Sequence, residues 1–367
     1  MQIGINLLYL IPDKVGGTET YARELVENLS NQVQSKTLII LYCSREAAPT
    51  FKPRSNIKIV TLPFYAKNRF IRLVIEQTFL PFIVWRQNID VLLSLGYSAP
   101  IFHLFPSVVT IHDLNWYYHP EDFSLLQCFI WKCLTITSAR SADHIIAIST
   151  ATSDSLKQIL NIPAAKISII LHGTPNHKFV KDTKHLYFKQ KYLFTVLAGY
   201  PHKNLITLLR AFRQIHILYP DLLLVICGLG GRADVTNSAY IHRYHLDNVV
   251  KIIGYVSDED LSSLYRGTEI FVFPSAYEGF GLPVIEAMSY QIPVVSSNAF
   301  SLKEVVGDGG LLVDPYDIDE YVHAVTSLLQ SAKLRASIVS RGTNRISALK
   351  WSNTAHKTLT ILQKYQK

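Results

Sequence analysis

Short apolar runs alternate with amphipathic stretches along the chain. In the first half, strands are predicted at Gln2–Leu7, Thr37–Tyr42, Ile57–Thr61, Val91–Leu95, Ser107–Ile111, His144–Ile148 and Ile167–Leu171. Between the first two, Tyr21, Leu25 and Leu29 recur every four residues with Ala22 and Val26 beside them. That spacing predicts one buried face of a helix over Thr18–Ser30. Uninterrupted apolar strands joined by helices belong to a parallel sheet covered on both sides.

The pattern then restarts. Residues 173–191 are polar and basic, carry no clear element and read as a linker. Strands follow at Tyr192–Ala198, Leu222–Cys227, Val249–Ile253, Ile270–Val272 and Val294–Ser296. Helices are predicted over Asn204–Leu218, Asp258–Arg266, Leu282–Ser289, Asp317–Gln330 and Thr354–Tyr365. The chain is therefore α/β with two units in tandem, residues 1–172 and 173–352, and its 367 residues suit two domains. Open parallel sheets bind ligands beyond the carboxyl ends of their strands. Two such units facing each other would hold a substrate across a cleft between them.

Composition narrows the class. Hydrophobic residues make up 49% and charged residues 17%, which excludes a largely disordered chain. No apolar stretch reaches the roughly 18 residues of a membrane span. The N-terminal run lacks the basic start of a signal peptide, so a cytoplasmic address is expected. The cysteines Cys43, Cys128, Cys133 and Cys227 form no Cys-x-x-Cys pair and are expected to be buried reduced thiols. Residues 36–86 hold nine basic side chains against Glu46 and Glu76, so most of the net +8 charge sits there. Aromatic, aliphatic and basic residues mix within Phe64–Leu73. Two readings stay open: an anionic membrane surface contacted by residues 36–86, with peripheral attachment to the inner face of the membrane, or a solvated basic face with apolar residues packed inward. No nucleic-acid motif accompanies the charge, and no nucleic-acid partner is expected.

Chemistry concentrates in Pro274-Ser275-Ala276-Tyr277-Glu278-Gly279-Phe280-Gly281-Leu282-Pro283-Val284-Ile285-Glu286. A strand ends at the first proline, a glycine loop follows, and a helix begins near Leu282. Pro283 suits a first helical turn. The backbone N–H groups of Phe280, Gly281 and Leu282 lie at the helix start, where hydrogen bonding and the macrodipole favour phosphate. Glu278 precedes the helix and Glu286 lies inside it, so one carboxylate can meet a sugar and the other ribose hydroxyls. Gly16-Gly17 before the first helix lets a backbone approach a pyrophosphate. His112 sits at the carboxyl end of the Ser107–Ile111 strand. Lys203, in Gly199-Tyr200-Pro201-His202-Lys203-Asn204, can neutralise a leaving diphosphate.

The Glu278–Glu286 pair around Gly-Phe-Gly-Leu-Pro resembles that of the retaining GT-B glycosyltransferases of family four, and the resemblance covers essentially the whole chain. It implies two Rossmann-like domains facing across a cleft, with a C-terminal helix, residues 353–367, packing back on the first. It further implies that Glu278 touches the transferred sugar, Glu286 holds the ribose and His112 lies beside the donor sugar. Gly16 and Gly17 would lie over the donor phosphates and acceptor. The turn at Val256, in Gly254-Tyr255-Val256-Ser257-Asp258, would read the nucleobase, and Ser149-Thr150 would stand at the cleft edge. Where family members carry an arginine after the glycine, this chain has Tyr200, and His202 is the candidate to compensate.

The implied activity is retaining transfer of a hexose, mannose-type favoured, from a nucleotide sugar such as GDP-mannose. The acceptor is a glycan or lipid-linked glycan in cell-surface polysaccharide synthesis. The nucleotide sugar is a substrate; no cofactor and no metal are expected, the chain being read as without a helical His pair or any Asp-x-Asp motif. Rival readings are a nucleotide-sugar epimerase, a catalytically silent nucleotide-sugar-binding module, and an NAD-dependent dehydrogenase. The dehydrogenase rests on Gly228-Leu229-Gly230-Gly231-Arg232-Ala233, a weak Gly-x-Gly-x-x-Ala match.

Overall fold

The computed structural model describes residues 1–174, 188–229 and 233–366. Most of the linker expected at 173–191 lies outside the described residues. The chain divides into one unit of Met1–Pro175 with Lys350–Lys367 and a second of Asn176–Leu349.

In the first unit, seven strands are described: β1 Gln2–Asn6, β2 Leu38–Cys43, β3 Ile57–Thr61, β4 Val91–Ser94, β5 Ser107–Ile111, β6 His144–Ala147 and β7 Ile167–Ile169. All pair in parallel, in the order β3-β2-β1-β4-β5-β6-β7. The second unit repeats the scheme with β8 Tyr192–Val196, β9 Leu223–Cys227, β10 Val250–Ile253, β11 Ile270–Phe273, β12 Val294–Ser297 and β13 Leu311–Val313, ordered β10-β9-β8-β11-β12-β13. β4, β6, β8, β9, β11 and β12 are buried along nearly their whole length, as parallel strands covered on both faces require. In each sheet the winding reverses once, between β1 and β4 and between β8 and β11. Such a reversal opens a crevice at the carboxyl ends of the two strands.

Among the departures from the sequence expectation, three bear on the sheets and the surface of the first unit. β13 has three residues beside Gly309 and Gly310, too short for an apolar run to announce it. An unbroken helical run spans residues 69–86: α-helix Arg69–Val74, a π turn Ile75–Phe79, and α-helix Leu80–Arg86. Arg72, Glu76, Leu80 and Val84, four apart, are its buried positions. A further helix covers Leu125–Ser141 and opens with a capping box between Ser124 and Gln127. The cysteine expectation also needs correction: Cys43 and Cys227 are buried, but Cys128 is half-buried and Cys133 exposed, because the Leu125–Ser141 helix turns apolar side chains outward.

The helix Trp351–Gln363 belongs to the first unit. Gln32 Nε2 donates to the Ser352 carbonyl at 2.8 Å, and Thr354 Oγ1 to that of Leu171 at 2.7 Å. A Cβ on Gly173 would lie 2.1 Å from the backbone nitrogen of Trp351, so glycine admits the close approach of that helix start. Trp351 stacks on His172 at 5.5 Å, and His172 on Tyr21 at 4.7 Å.

Candidate active site

In the second unit β8 and β11 are neighbours, so the loops leaving them run side by side although they lie some 75 residues apart in sequence. The first loop makes a 3₁₀ turn over Pro201–Lys203, and the second runs from Pro274 to Gly281. Lys203 Nζ meets Glu278 Oε1 at 2.7 Å, with side chains only 18% and 13% exposed. Such a charge-assisted contact, largely out of water, is stronger than a surface pair.

The frame around this pair is fastened by hydrogen bonds. Ala276 N donates to the His202 carbonyl at 2.8 Å. Asn204, buried with φ at 54°, donates its amide to the carbonyls of Pro274 and Pro315, at 3.2 and 2.5 Å. Its Oδ1 accepts from Thr207 Oγ1 at 2.7 Å. Ser301 Oγ donates to the Glu278 carbonyl at 2.6 Å. Asparagine supplies two amide hydrogens and tolerates the left-handed backbone, which few side chains combine.

The helix Leu282–Ser289 starts from Gly281, whose φ is 100°. A Cβ there would meet Leu302 Cδ2 at 2.5 Å, so both conformation and space call for glycine. Pro283 occupies the first turn. Phe280 and Leu282 bury their side chains and contribute backbone to this start. Glu286, one turn further, accepts from Tyr265 Oη at 2.9 Å. Burial pushes the Glu286 carboxyl up, the Tyr265 hydrogen bond pulls it back, and the Asp258 charge adds to the rise. Tyr265 was not legible as a partner: it stands 21 positions upstream on another helix, Asp258–Gly267.

The other positions singled out in this unit fall in different places. Gly199 is buried in the bend after β8. His202 is buried and stacks on Tyr200 at 5.7 Å. Val256 is half-buried after β10, at the sheet edge two strands from β8. Its neighbour Ser257 caps the Asp258–Gly267 helix by accepting from Asp260 N at 3.1 Å. Gly228 follows β9 with φ at 87°, while Gly230, Gly231 and Arg232 of the dinucleotide-like pattern lie outside the described residues.

In the first unit Gly16 takes φ 58° and ψ −132°, a conformation open to glycine, and precedes the helix Gly17–Gln32. A Cβ on Gly16 would meet nothing within 4 Å. Glu19 in the first turn accepts from Asp13 N at 2.9 Å and pairs with Arg23 at 2.7 Å, bracing the loop before the helix.

His112 lies just past β5, buried, with Nε2 2.8 Å from the Leu95 carbonyl. A carbonyl oxygen only accepts, so Nε2 carries the proton and Nδ1 is the acceptor nitrogen of the neutral ring. Burial pushes its pKa down, against smaller opposing effects of the Leu95 bond and Asp113. The ring stands edge-on to Tyr21 at 5.2 Å and near Tyr97 at 5.0 Å. Tyr97 holds φ at 67°, unusual for an aromatic residue, and donates to Asp113 Oδ2 at 2.8 Å. Ser149, just past β6, caps the helix Thr150–Leu160: its Oγ accepts from Thr152 N at 3.1 Å.

Two Asp-x-Asp spacings do occur, Asp258–Asp260 and Asp317–Asp319. Both serve helix starts, Asp317 accepting from the backbone N–H groups of Asp319 and Glu320. Among the described residues no group of three or more His, Cys, Asp or Glu could hold a metal ion.

The sequence of this chain resembles known proteins over both units. Residues 15–176 match Glycosyltransferase Family 4, and residues 178–345 match Glycosyl transferases group 1. O-antigen chain mannosyltransferase B of Escherichia coli is 32% identical over 284 residues, 72% of each chain. O-antigen chain mannosyltransferase RfbU of Salmonella typhimurium is 29% identical over 224 residues, 60% of each. In fold, sucrose-phosphate synthase from Thermosynechococcus elongatus superposes with a TM-score of 0.79 at 19% identity, over 99% of this chain and 98% of that one.

Proposed function

The chain belongs to the family-four GT-B glycosyltransferases, and from that premise we propose that it is a retaining, metal-independent hexosyltransferase. Its proposed donor is a nucleotide sugar, GDP-mannose first. Its proposed acceptor is a glycan or lipid-linked glycan in cell-surface polysaccharide synthesis, with a cytoplasmic site of action. The mannose preference leans on the mannosyltransferase relatives, of which the first covers most of this chain.

The observation that carries the reading is the 2.7 Å contact of Lys203 with Glu278. An ammonium group has three donors. Lys203 can keep Glu278 and still take a phosphate oxygen, so the leaving diphosphate meets a cation already held in place. The same contact screens Glu278 from the phosphate charge, which lets a carboxylate approach the sugar beside it. Backbone N–H groups at the Gly281–Leu282 helix start add donors that need no reorganisation. Glu286, oriented by Tyr265, takes the ribose hydroxyls. On the first unit, Gly16 and Gly17 offer backbone to phosphate. His112 positions the donor sugar as a neutral imidazole whose proton is committed to Leu95.

The test is product analysis with GDP-mannose and UDP-hexoses, with and without a lipid-linked acceptor, in chelator. The expected result is acceptor-dependent release of nucleoside diphosphate, an α-glycosidic product from the α-linked donor by NMR and no loss on chelation. Donor turnover to an epimerised sugar without acceptor, or activity that returns only with added magnesium or manganese, would overturn it.

A further inference from the structure

Four side chains of the first unit stand in a row that starts at the carboxyl ends of β4 and β5. The His112 ring lies 5.0 Å from that of Tyr97, Tyr97 lies 6.0 Å from Trp131, and Trp131 lies 6.0 Å from the Arg72 guanidinium. Each comes from a separate element. His112 follows β5, Tyr97 follows β4, Trp131 is on the Leu125–Ser141 helix, and Arg72 is on the helical run over residues 69–86.

The row is fastened at its His112 end. Tyr97 Oη donates to Asp113 Oδ2 at 2.8 Å, and Asp113 Oδ1 accepts from Asn115 N at 3.0 Å. These bonds hold Tyr97 at φ 67°, a backbone that aromatic residues rarely adopt. Strain kept beside a histidine of the proposed site marks a ring that is placed for more than packing. The other end carries a second, independent signal. Arg72 is only 8% exposed, yet its Nε has no hydrogen-bond partner. The nearby carboxylate of Glu76 is engaged elsewhere, accepting from Asn6 Nδ2 at 2.7 Å and from Ser98 Oγ at 2.8 Å. A shielded guanidinium nitrogen without an acceptor is unfavourable, and a ligand oxygen would relieve it.

Charge and shape identify the ligand. Glu76 lies close enough for its charge to act on Arg72, and Asp113 stands at the opposite end of the row. The row therefore has no excess of positive charge and suits an uncharged ligand over an anion. Trp131 and Tyr97 are both half-buried, so each keeps part of its ring surface open. A pyranose fits such a setting: its hydroxyls accept from a guanidinium, and the apolar C–H side of its ring packs on an aromatic surface. We propose that Tyr97, Trp131 and Arg72 form the subsite for the terminal sugar of the acceptor, a neutral hexose held beside His112. This rests on the glycosyltransferase reading and deepens it, since the acceptor is then selected through a sugar ring and its hydroxyls, not through a charged group.

The test is fluorine NMR of the full chain labelled with fluorotryptophan, using mannotriose and maltotriose as probes and a hexuronate and a hexose phosphate as anionic controls. Trp131→Phe identifies the Trp131 resonance by its absence. The expected result is that a neutral trisaccharide shifts this resonance and the anions do not. In transfer assays Trp131→Ala and Arg72→Lys should each raise acceptor KM about tenfold, with kcat and nucleoside diphosphate affinity moving far less. Trp131→Phe, which keeps a ring, should recover most of the loss. A purely structural role would instead lower kcat and the thermal midpoint together. A Trp131 resonance unmoved by both trisaccharides would overturn the proposal, as would an acceptor KM unchanged in both variants. So would an anion preference that Arg72→Lys abolishes, which would assign the row to an acidic acceptor. If Trp131→Ala does not fold, the resonance in the wild-type chain decides alone. Failure of the glycosyltransferase reading looks different: no nucleoside diphosphate is released with any acceptor, whether or not the resonance shifts.

Discussion

The hydroxyl of Tyr265 donates to Oε2 of Glu286 at 2.9 Å, and Glu286 is the carboxylate whose pKa burial drives upward. The bond favours the ionised form and opposes that rise. If ionised Glu286 accepts the ribose hydroxyls, donor affinity falls as pH drops through its raised pKa. Tyr265→Phe keeps the ring packing on Tyr290 and Phe194 and removes the bond together with a longer 3.4 Å contact to the Pro283 carbonyl. The acid limb of kcat/KM should move to higher pH, with donor KM raised about tenfold near neutrality. An acid limb unchanged in position would detach Glu286 from the donor.

Lys203 and Glu278 should separate stability from catalysis. Lys203→Ala leaves a largely buried carboxylate without its cation, a loss of about 1–3 kcal/mol. Adding Glu278→Ala should return part of that stability in a denaturant titration. Turnover should fall about 10²–10³-fold in either single variant and not return in the double. Recovery of activity alongside stability would reduce the pair to a structural contact.

Asn204 joins three segments through one side chain. Asn204→Gly keeps the left-handed backbone but strips the carbonyls of Pro274 and Pro315 of their amide donor. A loss of about 1–3 kcal/mol is expected, lowering the midpoint of the second unit by about 2–4 °C per kcal/mol. Because the same residue aligns Lys203 with the Glu278 loop, kcat should drop with it. An unchanged midpoint by calorimetry would show the clamp to be idle.

Gly281→Ala brings a Cβ to 2.5 Å from Leu302 at a backbone of φ 100°. The helix start should shift and donor affinity weaken more than tenfold, with a stability cost above about 1 kcal/mol. Adding Leu302→Ala relieves the clash but not the backbone, so only part of the loss should return. Isothermal titration with nucleoside diphosphate checks this; wild-type affinity in the single variant would exclude the helix start as a phosphate site.

The sequence made both parallel sheets legible, β13 excepted, because their strands are short apolar runs bounded by polar turns. It did not reveal the 69–86 helix: its apolar residues lie on two sides, Pro81 sits within it and the π turn breaks the usual spacing, so no single stripe emerges. The Leu125–Ser141 helix, which has neither proline nor π turn, stays hidden because its apolar residues also lie on more than one side. Lys203 and Glu278 could be read from their loops, since glycine, proline and charge cluster locally there. The Tyr265–Glu286 bond, the Tyr97 strain and the Trp351–His172–Tyr21 stack could not, because they join positions far apart in the chain that carry no local pattern.

The helix Trp351–Gln363 completes a unit whose other residues end at Pro175. During synthesis, the N-terminal sheet emerges without this cover and waits for about 170 intervening residues to leave the ribosome. The second unit, continuous in sequence, has no such dependence and can close first. A released chain that ends before Trp351 should therefore hold a protected C-terminal sheet and a protease-sensitive N-terminal one, the reverse of the order in which they were made.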